Sequence, residues 1–104
     1  LDEVRQEVAV IKPPKYNRFQ NGFSHIFAGG YSAGYYAYLW SEILDADGFT
    51  AFKQSGDIFD PELAARLKQN VYQAGGSMDA DELYRRFRGQ DPSIEPLLEI
   101  RGLH

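Results

Sequence analysis

The sequence predicts an all-α protein, and three observations carry that expectation. Asp60-Pro61 and Asp91-Pro92 are N-cap and N1 pairs that open helices. Asp79 with Glu82 three residues on has the pattern of a capping box. Between such signals, apolar residues recur at helical spacing and glycines close the runs.

Taken in order, Val4, Val8 and Ile11 fall at i, i+4 and i+7, so residues 1–11 read as a short helix or the tail of one. Pro13-Pro14 stops it, because the ring removes a donor and restricts the residue before it. Residues 15–30 are turn-rich, with Asn21-Gly22 and Gly29-Gly30, and a short strand is expected over 23–27. The longest expected helix covers residues 31–52. It is apolar on nearly every face up to Trp40, the mark of a helix buried on all sides. Gly34 and Gly48 inside it cost about 1 kcal/mol each relative to Ala, which points to close packing or close approach of a ligand. Further helices are expected from Asp60-Pro61 to Ala74, from Asp79 to Gly89, and from Asp91-Pro92 to about Gly102.

With 104 residues, the chain fits one small domain or a piece of a larger one. Seven Tyr, seven Phe and one Trp supply core material. A net charge of −4 argues against nucleic acid as a partner, since phosphate neutralisation needs a basic surface. Only Arg85, Arg86 and Arg88 cluster. The absence of Cys removes disulfides and Cys-type zinc sites, and a cytoplasmic location is the expectation. No apolar run reaches the ~20 residues of a membrane span, so no membrane partner is expected. The start at Leu1 has no signal-peptide pattern and no initiator Met, which fits a fragment.

Chemistry concentrates between His25 and Trp40. A glycine pair lets backbone come close to a bound chain and adopt positive φ. On a helix over 31–52, Tyr31, Tyr35 and Tyr38 project from one face just after Gly29-Gly30. A phenol keeps its proton at neutral pH and can donate to a developing oxyanion in a dry cleft. His25 adds a donor or general acid. The plain alternative is that the tyrosines pack and the histidine is structural. Gly29-Gly30 does not read as a phosphate cradle, because no Lys-Ser/Thr follows. His25 and His104 are the only histidines and no HExxH occurs, so no metal site is expected within the chain. Asp45, Asp47, Asp57 and Asp60 lack a calcium-loop pattern and read as caps and solvated faces.

The stretch from Phe23 to Phe52, opening FSHIFAGGYSAGYYAYLWSEILDADGF, resembles a signature of the thimet oligopeptidase family of zinc metallopeptidases. Downstream, GGS at 75–77, FRGQDP at 87–92 and RGL at 101–103 resemble the family's C-terminal end. The spacing from His25 to Tyr31 is similar to that of bacterial members of the oligopeptidase A and dipeptidyl carboxypeptidase type, and the ending leans toward the latter.

The resemblance implies that the chain is the C-terminal helical part of a larger, two-lobed, mostly helical catalytic domain. It would comprise a glycine-rich loop and tyrosine helix over 22–52 and C-terminal helices over 60–103, without the zinc-binding part. Zinc would be the cofactor of the full-length parent and short peptides its substrates. By matching position, His25, Tyr31 and Tyr38 would bind substrate and stabilise the scissile carbonyl. Tyr35 would contact substrate, and Gly29 and Gly30 would belong to the loop that closes over it. The chain alone would be inactive, and its apolar helix would favour self-association. The competing reading is a stand-alone, non-catalytic helical module that binds a peptide or protein.

Overall fold

The computed structural model describes residues 1–103, and every regular element among them is helical. The chain divides into two units, Leu1–Tyr35 and Tyr36–His104.

The first unit holds α1 (Asp2–Val8), a 3₁₀ turn (Phe19–Gly22) and α2 (Ser24–Phe27). α1 is shorter than the apolar spacing suggests, because Ala9 already takes an extended conformation at φ −85°. Where a strand was expected over 23–27, the single turn of α2 stands instead, closed by Ala28 N–H on the Ser24 carbonyl at 2.7 Å. Among the described residues of this unit none is buried. Polar and aromatic contacts hold it: Arg5 donates to Asp2 at 3.1 Å and to Asn17 Oδ1 at 3.0 Å, and lies 5.4 Å from the Phe19 ring centroid.

The second unit holds α3 (Ala37–Ser55), α4 (Pro61–Leu67) running into a π turn (Lys68–Tyr72), α5 (Ala80–Arg88) and α6 (Glu95–Ile100). α3 begins at Ala37, six residues later than the sequence suggests. Residues 31–36 are turns, and Gly34, expected inside the helix, lies among them with open space around it. Glycine and a run of aromatics give the chain neither propensity nor a capping side chain there. Gly48 is inside α3, where an added methyl would make only ordinary contact, 3.5 Å from the Phe87 ring, so the packing does not demand glycine there.

α3 packs along its middle and not at its start. Ile43, Ala46, Asp47, Gly48 and Ala51 are buried, whereas Tyr36, Leu39 and Trp40 are 65%, 49% and 57% exposed. Ile43 and Ala46 meet Leu97 of α6. Ala51 meets Tyr84 and Phe87 of α5, with Phe52, Leu63, Leu67 and Val71 around them. Phe87 is 2% exposed, so this is the tightest part of the unit.

Asp47 corrects the reading of the acidic residues as caps and solvated faces. It is 1% exposed, with Oδ2 accepting from Tyr84 Oη at 2.5 Å and Arg88 Nε at 3.2 Å. Its Oδ1 accepts from the Ser93 N–H at 3.3 Å. One buried carboxylate therefore ties α3 to α5 and to the segment before α6. Burial first, then the hydrogen bond to Asp47 and its charge, push the Tyr84 phenol well above its ordinary 10.0, while Arg88 pulls the other way. The unfolded chain ionises Tyr84 near that ordinary value and the folded unit keeps the proton. Stability present below that pH is therefore lost as pH rises above it. Alkaline titration of the unfolding midpoint should show this fall beginning near pH 10.0, and Tyr84→Phe should flatten it. An equally steep fall in Tyr84→Phe contradicts the assignment.

Other acidic residues do cap or pair. Asp60 Oδ1 accepts from Glu62 and Leu63 N–H at 2.8 and 3.1 Å, the cap the sequence predicts. Asp79 forms no capping box: Glu82 and Leu83 N–H go to its main-chain oxygen, both at 3.1 Å, and its side chain makes no cap bond. Asp91 does not open α6. It pairs with Arg85 at 2.6 Å, and the helix starts at Glu95, whose N–H donates to Ser93 Oγ at 3.2 Å. Asp91 and Asp81 hold the Arg85 guanidinium above its ordinary range, and Arg85 lowers the Asp81 carboxyl. Arg86 pairs with Glu82 at 2.6 Å, so all three clustered arginines are engaged within the unit.

Candidate functional site

The glycine pair shapes the first unit. Gly30 has φ +78°, the left-handed region that glycine enters without cost. At Gly29 an added Cβ would lie 2.9 Å from His25 Cα and 3.1 Å from its carbonyl oxygen, both backbone atoms, so no side chain fits without moving α2. The chain folds back there onto α2. Tyr31 N–H donates to the His25 carbonyl at 2.9 Å, and Ser32 Oγ donates to the Ile26 carbonyl at 3.0 Å.

This reversal gathers the rings. The Tyr31 and Tyr35 centroids each lie 5.7 Å from that of His25, the latter edge to face at 72°. Phe23 completes the group at 4.7 Å from Tyr35, also edge to face, and 6.2 Å from His25. Tyr31 and Tyr35 are 37% and 41% exposed, so the cluster lies at the surface of its unit.

The arrangement differs from the expected one. Tyr31, Tyr35 and Tyr38 do not share a helical face, because the first two lie in the turns before α3. His25, Gly29, Gly30, Tyr31 and Tyr35 belong to the first unit. Tyr38 belongs to the second, in the first turn of α3, and is 44% exposed. Phe23 is a member that sequence reasoning missed. In the sequence Phe23 stood only as the first residue of the expected strand and of the stretch that carries the resemblance.

Among the described residues no group of three or more His, Cys, Asp or Glu comes together to hold a metal ion. They therefore do not fit a zinc site, and what they offer is phenol, imidazole and backbone. Among the same residues no helix is long and apolar enough to cross a membrane.

The family model described as "Peptidase family M3" matches residues 1–103. The chain is 45% identical over 103 residues to oligopeptidase A of Escherichia coli, covering 99% of this chain and 15% of that protein. It is 44% identical over 92 residues to dipeptidyl carboxypeptidase of the same organism, covering 88% and 13%. A protein of Arabidopsis thaliana named probable cytosolic oligopeptidase A is 45% identical over 108 residues, covering 97% and 15%. Identity does not separate the first two, although the span matched is longer for oligopeptidase A. The chain thus spans about 15% of the length of the oligopeptidase A relatives it matches.

Proposed function

The chain belongs to peptidase family M3, and from that we propose that it is the substrate-side portion of a zinc-dependent peptidase that cleaves short peptides in the cytoplasm. The observation that carries the proposal is the fold of Gly29-Gly30, which sets the Tyr31 and Tyr35 rings at equal distance from His25 with both residues partly exposed. A peptide laid along that backbone would meet donors on one side and aromatic surface on the other.

The roles follow from the chemistry of the groups. Peptide hydrolysis builds negative charge on the scissile carbonyl oxygen, and a neutral phenol donates to it without desolvating a charge. Tyr38 and Tyr31 take that role, and His25 binds or protonates. Tyr35, packed edge to face on His25, contacts substrate and holds the imidazole in place. Gly29 and Gly30 let the backbone approach the peptide and close over it. Zinc, the cofactor of the whole protein, is held by polypeptide outside this segment.

The test is turnover of a fluorogenic short peptide by the full-length protein. His25→Ala and Tyr31→Phe should each lower kcat by at least about tenfold, toward the range of one lost oxyanion donor. The isolated 104-residue chain should hydrolyse nothing and show no tight zinc site in calorimetry. Wild-type turnover in both variants, or a stoichiometric zinc site in the isolated chain, contradicts the reading. The exposed Tyr36, Leu39 and Trp40 also favour self-association of the isolated chain.

A further inference from the structure

Within the ring cluster, Phe23 is the member whose side chain carries no donor, acceptor or titratable group. It nevertheless touches three other rings. Tyr35 lies 4.7 Å away, edge to face at 87°, His25 at 6.2 Å, and Phe19 of the 3₁₀ turn at 5.5 Å. Phe19 in turn meets the Arg5 guanidinium, which is tied to Asn17.

The main chain of Phe23 is engaged as well. Its N–H donates to the Gln20 carbonyl and its own carbonyl accepts from Phe27 N–H, both at 3.4 Å. Phe23 thus joins the 3₁₀ turn to α2, the single helical turn that carries His25. An aromatic ring has a negative face and a positive edge, so an edge-to-face pair sets direction as well as distance. Phe23 meets Tyr35 in this way, and Tyr35 meets His25 in the same way at 5.7 Å and 72°. The imidazole is therefore contacted by Phe23 both directly and through Tyr35. All these contacts run within the Leu1–Tyr35 unit and stand beside whatever else His25 and Tyr35 touch.

We infer that Phe23 is a positioning residue that sets the orientation of the His25 imidazole, directly and through Tyr35. The inference rests on the proposed role of His25. Phe23 can neither give nor take a proton, so its effect on turnover passes through the rings it contacts. An aliphatic side chain fills the same space without the positive edge and lets the imidazole turn. Small misplacements of a reacting group cost turnover more than binding.

The experiment measures kcat, KM and thermal midpoint with a fluorogenic short peptide in the full-length protein. The variants are Phe23→Leu, Phe23→Met, Phe23→Tyr, His25→Ala, and Phe23→Leu combined with His25→Ala. Phe23→Leu and Phe23→Met should each lower kcat about fivefold, with KM and midpoint unchanged. Phe23→Tyr keeps the ring and should hold most of the wild-type kcat. On the His25→Ala background, Phe23→Leu should add no further loss, the non-additivity of residues that act as one unit. An unchanged kcat in Phe23→Leu overturns the inference, and so does a full further loss on the His25→Ala background. A raised KM with kcat kept makes Phe23 a substrate contact and also overturns it. So does a midpoint that falls with kcat in both Phe23→Leu and Phe23→Met, which makes the ring merely structural. If His25→Ala alone keeps full turnover, the proposed role of His25 fails and the inference with it. If His25→Ala loses turnover while Phe23→Leu does not, only the present inference falls.

Discussion

Asp47→Ala is expected to destabilise the Tyr36–His104 unit by about 3–5 kcal/mol, the cost of breaking one side of a buried ion pair. Asp47 and Arg88 have side chains only 2% and 8% exposed, so removing the carboxylate leaves a guanidinium charge with little water to take it. Tyr84 Oη loses its 2.5 Å acceptor, and the Ser93 N–H loses the bond that anchors the segment before α6. Amide exchange across α3 and α5 in the full-length protein should accelerate together, because one group links both helices. Asp47→Asn keeps the shape and part of the bonding and should cost less. Adding Arg88→Met to Asp47→Ala should recover part of the loss, since the orphaned charge is then gone. Unchanged protection of α3 and α5 in Asp47→Ala would show that the network carries no stability.

Asp47 also marks where the sequence was legible and where it was not. Local signals were read correctly wherever one residue acts on its immediate backbone. Asp60 caps α4 as expected and Gly89 at φ +82° closes α5, whereas α1 ends at Val8, before Pro13-Pro14 could stop it. Errors arose where another side chain took the group, or where the backbone made the bond instead. Asp91 had the look of a cap but goes to Arg85, and Asp79 uses its carbonyl instead of its side chain. Nothing local says which aspartate points inward, but the helical phase does. Asp47 lies four residues after Ile43 and four before Ala51, both buried. That phase was available in the sequence.

The start of α3 was misplaced for another reason. Between Tyr31 and Trp40 nearly every residue is apolar or glycine, so the hydrophobic pattern has no polar side to fix its phase or its beginning. The turns at 31–36 are set by Gly29 and Gly30, which fold the chain against His25. The choice of candidate site residues did not depend on where α3 begins. The same six residues, His25, Gly29, Gly30, Tyr31, Tyr35 and Tyr38, stood out by composition and by resemblance, and the family match over residues 1–103 agrees with the resemblance. What composition alone left undecided was whether a tyrosine stripe packs or reacts. Tyr31 and Tyr35 stay partly exposed, which is what the proposed contact with a peptide requires.

The central claim is that this segment faces a reacting peptide, and Tyr38 tests it most directly. Tyr38→Phe removes one hydroxyl, keeps the ring, and leaves a position that is 44% exposed in the first turn of α3, so folding should be unaffected. If that hydroxyl donates to the carbonyl oxygen as charge develops, its loss removes an interaction made mainly in the transition state. The expected result is a drop in kcat of roughly 10²–10³, about 2.7–4 kcal/mol, with KM little changed and bound zinc at the wild-type level. A Tyr38→Phe enzyme that turns over short peptides at the wild-type rate contradicts the account.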